Sequence, residues 1–215
     1  MKIDHIFIFS NNDAEEAGEL VNTGFTEGSR RKHPGQGTAN RKFYFDNFFL
    51  EILYVTDQAE ITNDVIGPIK LWKRSNFEPK GTSRFGLCVV NDDDTDNLFA
   101  QALEYQPSYF PEGNAINIIT NEENPQLPWT FQLPFKGQNR RSDEPTEHRI
   151  GAQHLTKATF GIADLKNTVS FVEAFEASEQ IDFELSQLNQ LKLVFDNGQQ
   201  GGKIEFKDLN LLIEY

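Results

Sequence analysis

Two side chains interrupt apolar segments of this chain, and both can do chemistry. His5 stands among Ile3, Phe7 and Phe9 in a segment whose side-chain period is two, so its imidazole points where apolar groups point. Glu51 stands among Phe49, Leu50, Ile52 and Leu53, where an unpaired carboxylate is costly to bury and therefore needs a partner. An imidazole and a carboxylate are the ingredients of a divalent-metal site or of an acid/base pair. They equally make a structural hydrogen bond between strands, and the residues alone leave both readings open.

The stretch from His33 to Arg41, HPGQGTANR, holds the next candidates. Gly35 and Gly37 allow backbone angles closed to other residues, which would bring loop N–H groups close to a ligand. Asn40 and Arg41 follow, and the guanidinium fork of Arg41 suits a carboxylate or phosphate. Plain turn chemistry explains the glycines equally well, and their spacing fits no dinucleotide or phosphate loop. His33 titrates near neutral pH and suits a proton shuttle. Tyr109 and Trp129, with Tyr105 and Phe110, are expected to line an apolar pocket or to fill core. His148 lies in a polar stretch and is expected to be solvated, and His154 receives no role.

These residues need strands to hold them. Lys2 to Ser10 reads as a strand, Ala14 to Asn22 as a helix, and Arg41 to Phe45 and Phe48 to Val55 as further strands, with Phe43 and Phe45 on one face. The order recurs. Arg84 to Asn91 predicts a strand, Asp96 to Tyr105 a helix, and Ala115 to Thr120 and Trp129 to Phe135 strands. A third pass runs through a strand over Leu155 to Ile162, a helix over Leu165 to Glu176, and strands over Gln190 to Asp196 and Gly202 to Lys207. Such repetition is what an internal duplication leaves. Leu71 to Arg74 predicts a short helix in a connector.

Composition narrows the function. A formal charge of −13 disfavours nucleic acid and anionic membrane as partners, since both require clustered Lys and Arg. The basic run Ser29 to His33 reads as a solvated junction or a small anion site. Nineteen phenylalanines against one methionine predict an aromatic interior. Cys88 is the single cysteine, which excludes an intramolecular disulfide and points to a small buried hydrophobe. No segment approaches the roughly 18 to 20 apolar residues of a membrane span. No signal-peptide layout opens the chain, so a cytoplasmic location is the expectation.

A strand-opening His and a strand-closing Glu in repeated βαβββ units resemble the vicinal oxygen chelate superfamily, the glyoxalase, bleomycin-resistance and dioxygenase group. His33–Arg41 followed by Leu50–Leu53, then Leu71–Arg74, Phe85–Cys88 and Tyr105–Pro111, resemble its glyoxalase-like domain proteins over about residues 1–135. The resemblance implies an α+β fold of repeated βαβββ modules forming a curved, partly closed mixed sheet around a cleft. The expected organisation is paired modules at 1–56 and 82–135 joined by a connector at 57–81, a polar linker at 136–153, and a module-like unit at 154–215.

The resemblance also implies a divalent metal held by His5, Glu51 and Gln132, with Gly86 standing where a second His would be expected. On this reading Glu51, His5 and His33 are catalytic, and Asn40, Arg41, Gly37, Tyr109 and Trp129 contact substrate. The activity would be that of a metal-dependent lyase, isomerase or dioxygenase on a small oxygenated molecule. The alternative is a protein that binds or sequesters a small molecule in the same cleft without turnover. Exposed sheet edges in such modules also imply pairing into a homodimer.

Overall fold

Short segments of alternating side chains become strands here, and their register decides which groups share a face. The computed structural model describes residues 1–78, 81–137 and 143–215. Its first unit comprises β1 (Ile3–Phe9), α1 (Ala17–Thr23), β2 (Arg30–His33), β3 (Thr38–Tyr44) and β4 (Phe49–Val55). Helices α2 (Gln58–Ile61) and α3 (Leu71–Ser75) occupy the connector. The second unit comprises β5 (Phe85–Asn91), β6 (Leu103–Tyr105), β7 (Ile116–Ile119) and β8 (Trp129–Lys136). These eight strands form one curled mixed sheet in the order β2-β3-β4-β1-β5-β8-β7-β6. The two units meet where β1 runs antiparallel to β5, while β4 and β8 lie parallel to β1 and β5. The result is the half-barrel α+β arrangement that the resemblance implied.

The remaining strands, β9 (Leu155–Ile162), β10 (Ile181–Leu185), β11 (Gln190–Phe195), β12 (Lys203–Phe206) and β13 (Leu211–Glu214), with α4 (Val169–Glu173), form a separate five-stranded sheet. This sheet covers the reverse face of the first. Ile6, Ile8, Leu50, Ile52, Phe85 and Leu87 share one core with Phe160, Leu193, Phe195 and Ile213, and the Phe85 and Phe160 rings meet at 6.2 Å. The front face carries a second core of Phe7, Phe9, Leu53, Cys88, Trp129 and Phe131. Central strands are therefore apolar on both sides, which removes simple alternation from their sequence.

Several expectations need correction. No α-helix forms over Asp96–Tyr105; Leu103–Tyr105 is a strand, and the turns before it are held locally, with Asp94 N–H donating to the Asp92 carboxylate and Thr95 Oγ1 donating to the Asp92 carbonyl. The third helix is confined to Val169–Glu173. Strands β10 and β13 had no separate signal. Part of the expected linker, 138–142, lies outside the described residues. Within the expected linker, residues 144–147 are bonded to the first unit: Glu144 accepts from Ser29 N–H at 2.9 Å, and Thr26 Oγ1 donates to the Glu147 carbonyl at 2.7 Å. His148 is buried, not solvated. Its Nδ1 accepts from Thr26 N–H at 2.9 Å, its Nε2 lies 2.9 Å from the Tyr44 carbonyl, and its ring packs on Phe45 at 4.3 Å.

Candidate functional site

The concave face of the eight-stranded sheet holds a cleft of about 260 Å³. Its polar groups come from the first unit and its apolar groups mainly from the second. His5 enters from β1, Asn40 and Lys42 from β3, Glu51 from β4, and Arg31 and His33 from β2. Opposite them stand Trp129, Phe131, Leu133 and Phe135 from β8, with Tyr105, Tyr109, Phe110 and Ile116.

His5 is 6% exposed and tightly positioned. Between Ile3 and His5 the pairing with β5 shifts by one residue, and this bulge leaves Asp4 as the extra residue. The Asp4 carboxylate lies 2.6 Å from His5 Nδ1. Phe49 stacks on the imidazole with ring centroids 4.2 Å apart, and Phe131 meets it edge-on at 5.2 Å. Nε2 is thus aimed at Glu51, whose Oε2 is 3.8 Å away, beyond hydrogen-bonding distance.

Glu51 is also 6% exposed. Its Oε1 accepts a hydrogen bond from the Asn40 amide, and Asn40 Oδ1 in turn accepts from Arg31 N–H at 2.8 Å. His33 approaches the Asn40 amide at 3.5 Å and lies 2.9 Å from Thr38 Oγ1. Burial is the main cause lowering the His33 pKa, partly opposed by the Glu51 charge, so the imidazole is held neutral. Tyr109 closes the cleft from the second unit: it donates to Gln36 Oε1 at 3.3 Å, lies under the Arg31 guanidinium at 4.7 Å, and faces His33 at 6.0 Å. Burial pushes the Tyr109 phenol up and that of Tyr105 to about 12, so both stay protonated donors.

The structure gathers His5, Glu51, His33, Asn40, Tyr109 and Trp129 around this cleft. It does not bring Arg41, Gln132 or Gly37 there. Arg41 sits between Asn40 and Lys42 on β3, so it projects from the opposite face. There Glu27 grips it through two contacts of 2.8 and 2.6 Å, and the Ala14 carbonyl accepts a third. Gln132 alternates with Phe131 and Leu133 and is turned away, its side-chain amide lying 2.9 Å from Thr95 Oγ1. The glycine loop is already satisfied from within: both Gly35 and Gly37 N–H groups donate to Glu60 Oε2 at 3.0 Å. At Gly37, φ is +72° and a Cβ would meet the Asp57 carbonyl at 2.3 Å, so the glycine lets α2 approach. Three polar groups of this site carried no prior assignment, namely Lys42, Asp4 and Gln36. The signal for Lys42 was its spacing of two from Asn40.

A family model described as a glyoxalase-like domain matches residues 3–175. The chain belongs to the glyoxalase-like domain family. A hypothetical protein from Staphylococcus aureus is similar across 99% of this chain and 98% of its own, at 14% identity and a TM-score of 0.55, which supports the fold. A substituted 4-hydroxymandelate synthase from Streptomyces coelicolor aligns over 99% of this chain and 61% of its own, at 12% identity and a TM-score of 0.44. No curated protein matches in sequence.

Glyoxalase-like and other vicinal oxygen chelate proteins typically carry a divalent metal, and the donors here can be tested against one. A catalytic site needs about three protein ligands plus an open position. His5 Nε2 and Glu51 Oε2 supply two. The expected partner position is closed: a Cβ at Gly86 would lie 2.0 Å from the Phe7 ring, so phenyl occupies the space of a second-unit ligand. Asp4, His5 and Cys88 do bring ligand atoms within 4.8 Å of one another. However, Asp4 already engages His5 Nδ1 at 2.6 Å, and Cys88 is a fully buried thiol whose pKa burial raises, so two of these three donors are committed or protonated as they stand. Among the described residues the donor set does not fit a three-ligand metal site.

Proposed function

We propose that this glyoxalase-like protein binds a small molecule with a ring-shaped apolar body and an oxygen-bearing head, without a resident divalent metal. The observation that carries this reading is the segregation of the cleft walls. A body set among Phe131, Trp129, Leu133 and Phe49 directs its head at His5, Asn40 and Glu51. Aromatic walls contribute most of the binding energy of such pockets, and a few convergent polar groups fix orientation. The modest volume favours one or two rings.

A second reading, a lyase or isomerase that moves a proton, is supported by the Asp4–His5 arrangement. An Asp on Nδ1 fixes the tautomer and leaves Nε2 facing the cleft, as a general base requires. Metal-dependent isomerase or dioxygenase chemistry would need a third ligand beside His5 Nε2 and Glu51, and among the described residues that line the cleft none is placed as one.

Trp129 reports on the cleft directly. Titration of tag-free protein with naphthamide, before and after chelator dialysis, should change indole fluorescence identically, and elemental analysis should find metal far below one equivalent. Stoichiometric metal that is lost in both His5→Ala and Glu51→Gln would overturn the metal-free reading. An unchanged fluorescence signal, with no thermal shift, would overturn cleft binding. Solvent deuterium appearing in a ketone probe, and lost in His5→Gln, would favour the proton-transfer reading.

A further inference from the structure

Lys42 is the side chain of this cleft whose surroundings leave it incomplete. It is only 4% exposed, lies on β3 two residues beyond Asn40, and lines the cavity. Among the described residues its ammonium meets the face of the Tyr44 ring at 5.5 Å and no carboxylate or carbonyl oxygen within hydrogen-bonding reach. A ring face only partly replaces the water that a lysine loses on burial. Two carboxylates feel its charge, and both are committed elsewhere: Glu51, its cross-strand neighbour, gives Oε1 to Asn40 and turns Oε2 towards His5, and Glu144 accepts from Ser29 N–H. Arg31 adds a second positive charge at the rim, and His33 is held neutral, while Asp4 is taken up by His5.

Building on the cleft-binding reading, we propose that Lys42 is the anion contact of the site, and that the ligand is an aromatic monocarboxylate. The carboxylate would sit between Lys42 and the Asn40 and His33 side of the polar wall, with the ring against Phe131 and Trp129. A single compact charge suits a lysine, which acts as a point donor and does not demand the two parallel bonds of an arginine fork. The Glu51 charge beside it selects against dianions, since a second carboxylate would face a like charge.

The test compares naphthoate with its neutral isostere naphthamide on wild-type protein and on Lys42→Met, which keeps the length of the side chain and removes the charge. Wild type should bind naphthoate more tightly than naphthamide. In Lys42→Met naphthoate should weaken by about tenfold or more, the loss expected of one charged hydrogen bond, while naphthamide changes little. The unliganded variant should melt no lower than wild type, because it loses a buried charge without a paired oxygen. Equal binding of acid and amide by wild type, or naphthoate binding that survives in Lys42→Met, overturns the assignment and leaves cleft binding intact. A lower melting temperature of unliganded Lys42→Met would assign Lys42 a structural role and likewise overturn it. Failure of both probes to bind wild type overturns cleft binding as well.

Discussion

Replacing Gly86 with alanine tests the packing that closes the second half of the cleft. The new Cβ would lie 2.0, 2.2 and 2.4 Å from three atoms of the Phe7 ring. Carbon atoms settle at about 3.5 Å or more, so the ring must retreat by roughly 1.5 Å. It has little room to do so, because Phe9, Trp129 and Phe131 surround it with centroids at 5.3, 5.8 and 6.1 Å. Two effects compete. Removing a strand glycine should stabilise by roughly 0.5–1 kcal/mol, whereas overpacking a core costs about 1–3 kcal/mol. With backbone and phenyl this close, overpacking should win. For a chain of this size each kcal/mol moves Tm by about 2–4 °C, so Gly86→Ala should melt lower by several degrees. Urea unfolding of Gly86→Ala, Phe7→Leu and the double variant completes the cycle. The smaller leucine side chain of the Phe7→Leu variant should accommodate the methyl group, so the double variant should be more stable than the sum of the single losses, by about 1 kcal/mol or more. A Gly86→Ala protein as stable as wild type, or strictly additive losses, would refute the steric account of the missing ligand.

Two further outcomes follow from described contacts. Burial, partly opposed by the bond to the Tyr44 carbonyl, holds the His148 pKa below its ordinary 6.5. Below pH 6.5 the unfolded chain therefore binds a proton that the folded one refuses, and stability falls as pH drops towards the folded value, while above 6.5 it is fully retained. Buried His33 contributes in the same direction. The slope of Tm against pH in this window should flatten in His148→Gln, and an unchanged slope would count against the assignment. Glu60→Ala should strip the Gly35 and Gly37 amides of their shared acceptor. Hydrogen exchange at those two positions should accelerate while β1 and β5 keep their protection; unchanged exchange at both glycines would contradict the assigned role.

The adjacency of His5 and Glu51 was legible because each is a polar residue on an otherwise apolar face, and the module resemblance set β1 beside β4. What failed was parity. Arg41, Phe43 and Phe45 alternate together, so placing the two phenylalanines in the core already sent Arg41 to the back face; Asn40 and Arg41 could not both face the cleft. The same rule excludes Gln132, which lies between Phe131 and Leu133. The bulge at Asp4 was invisible in sequence, and it transfers Ile3 to the rear core and brings a carboxylate to His5. His148 was misplaced because polar neighbours in sequence said nothing of the Phe25–Phe45 pocket that receives it. Strand β10 escaped notice because Asp182 and Glu184 interrupt its apolar residues, and β13 because it is only four residues long.

The sheet that carries the cleft has hydrocarbon behind it, and this constrains the front. A slip of β1 or β4 by one residue would drive His5 or Glu51 into the core shared with the C-terminal sheet, and push Ile6 or Ile52 into the cleft. Folding energy gathered on the rear face therefore acts as a detent for the front. The spacing of the polar wall is set before any ligand arrives, and a ligand need not supply the free energy to assemble it.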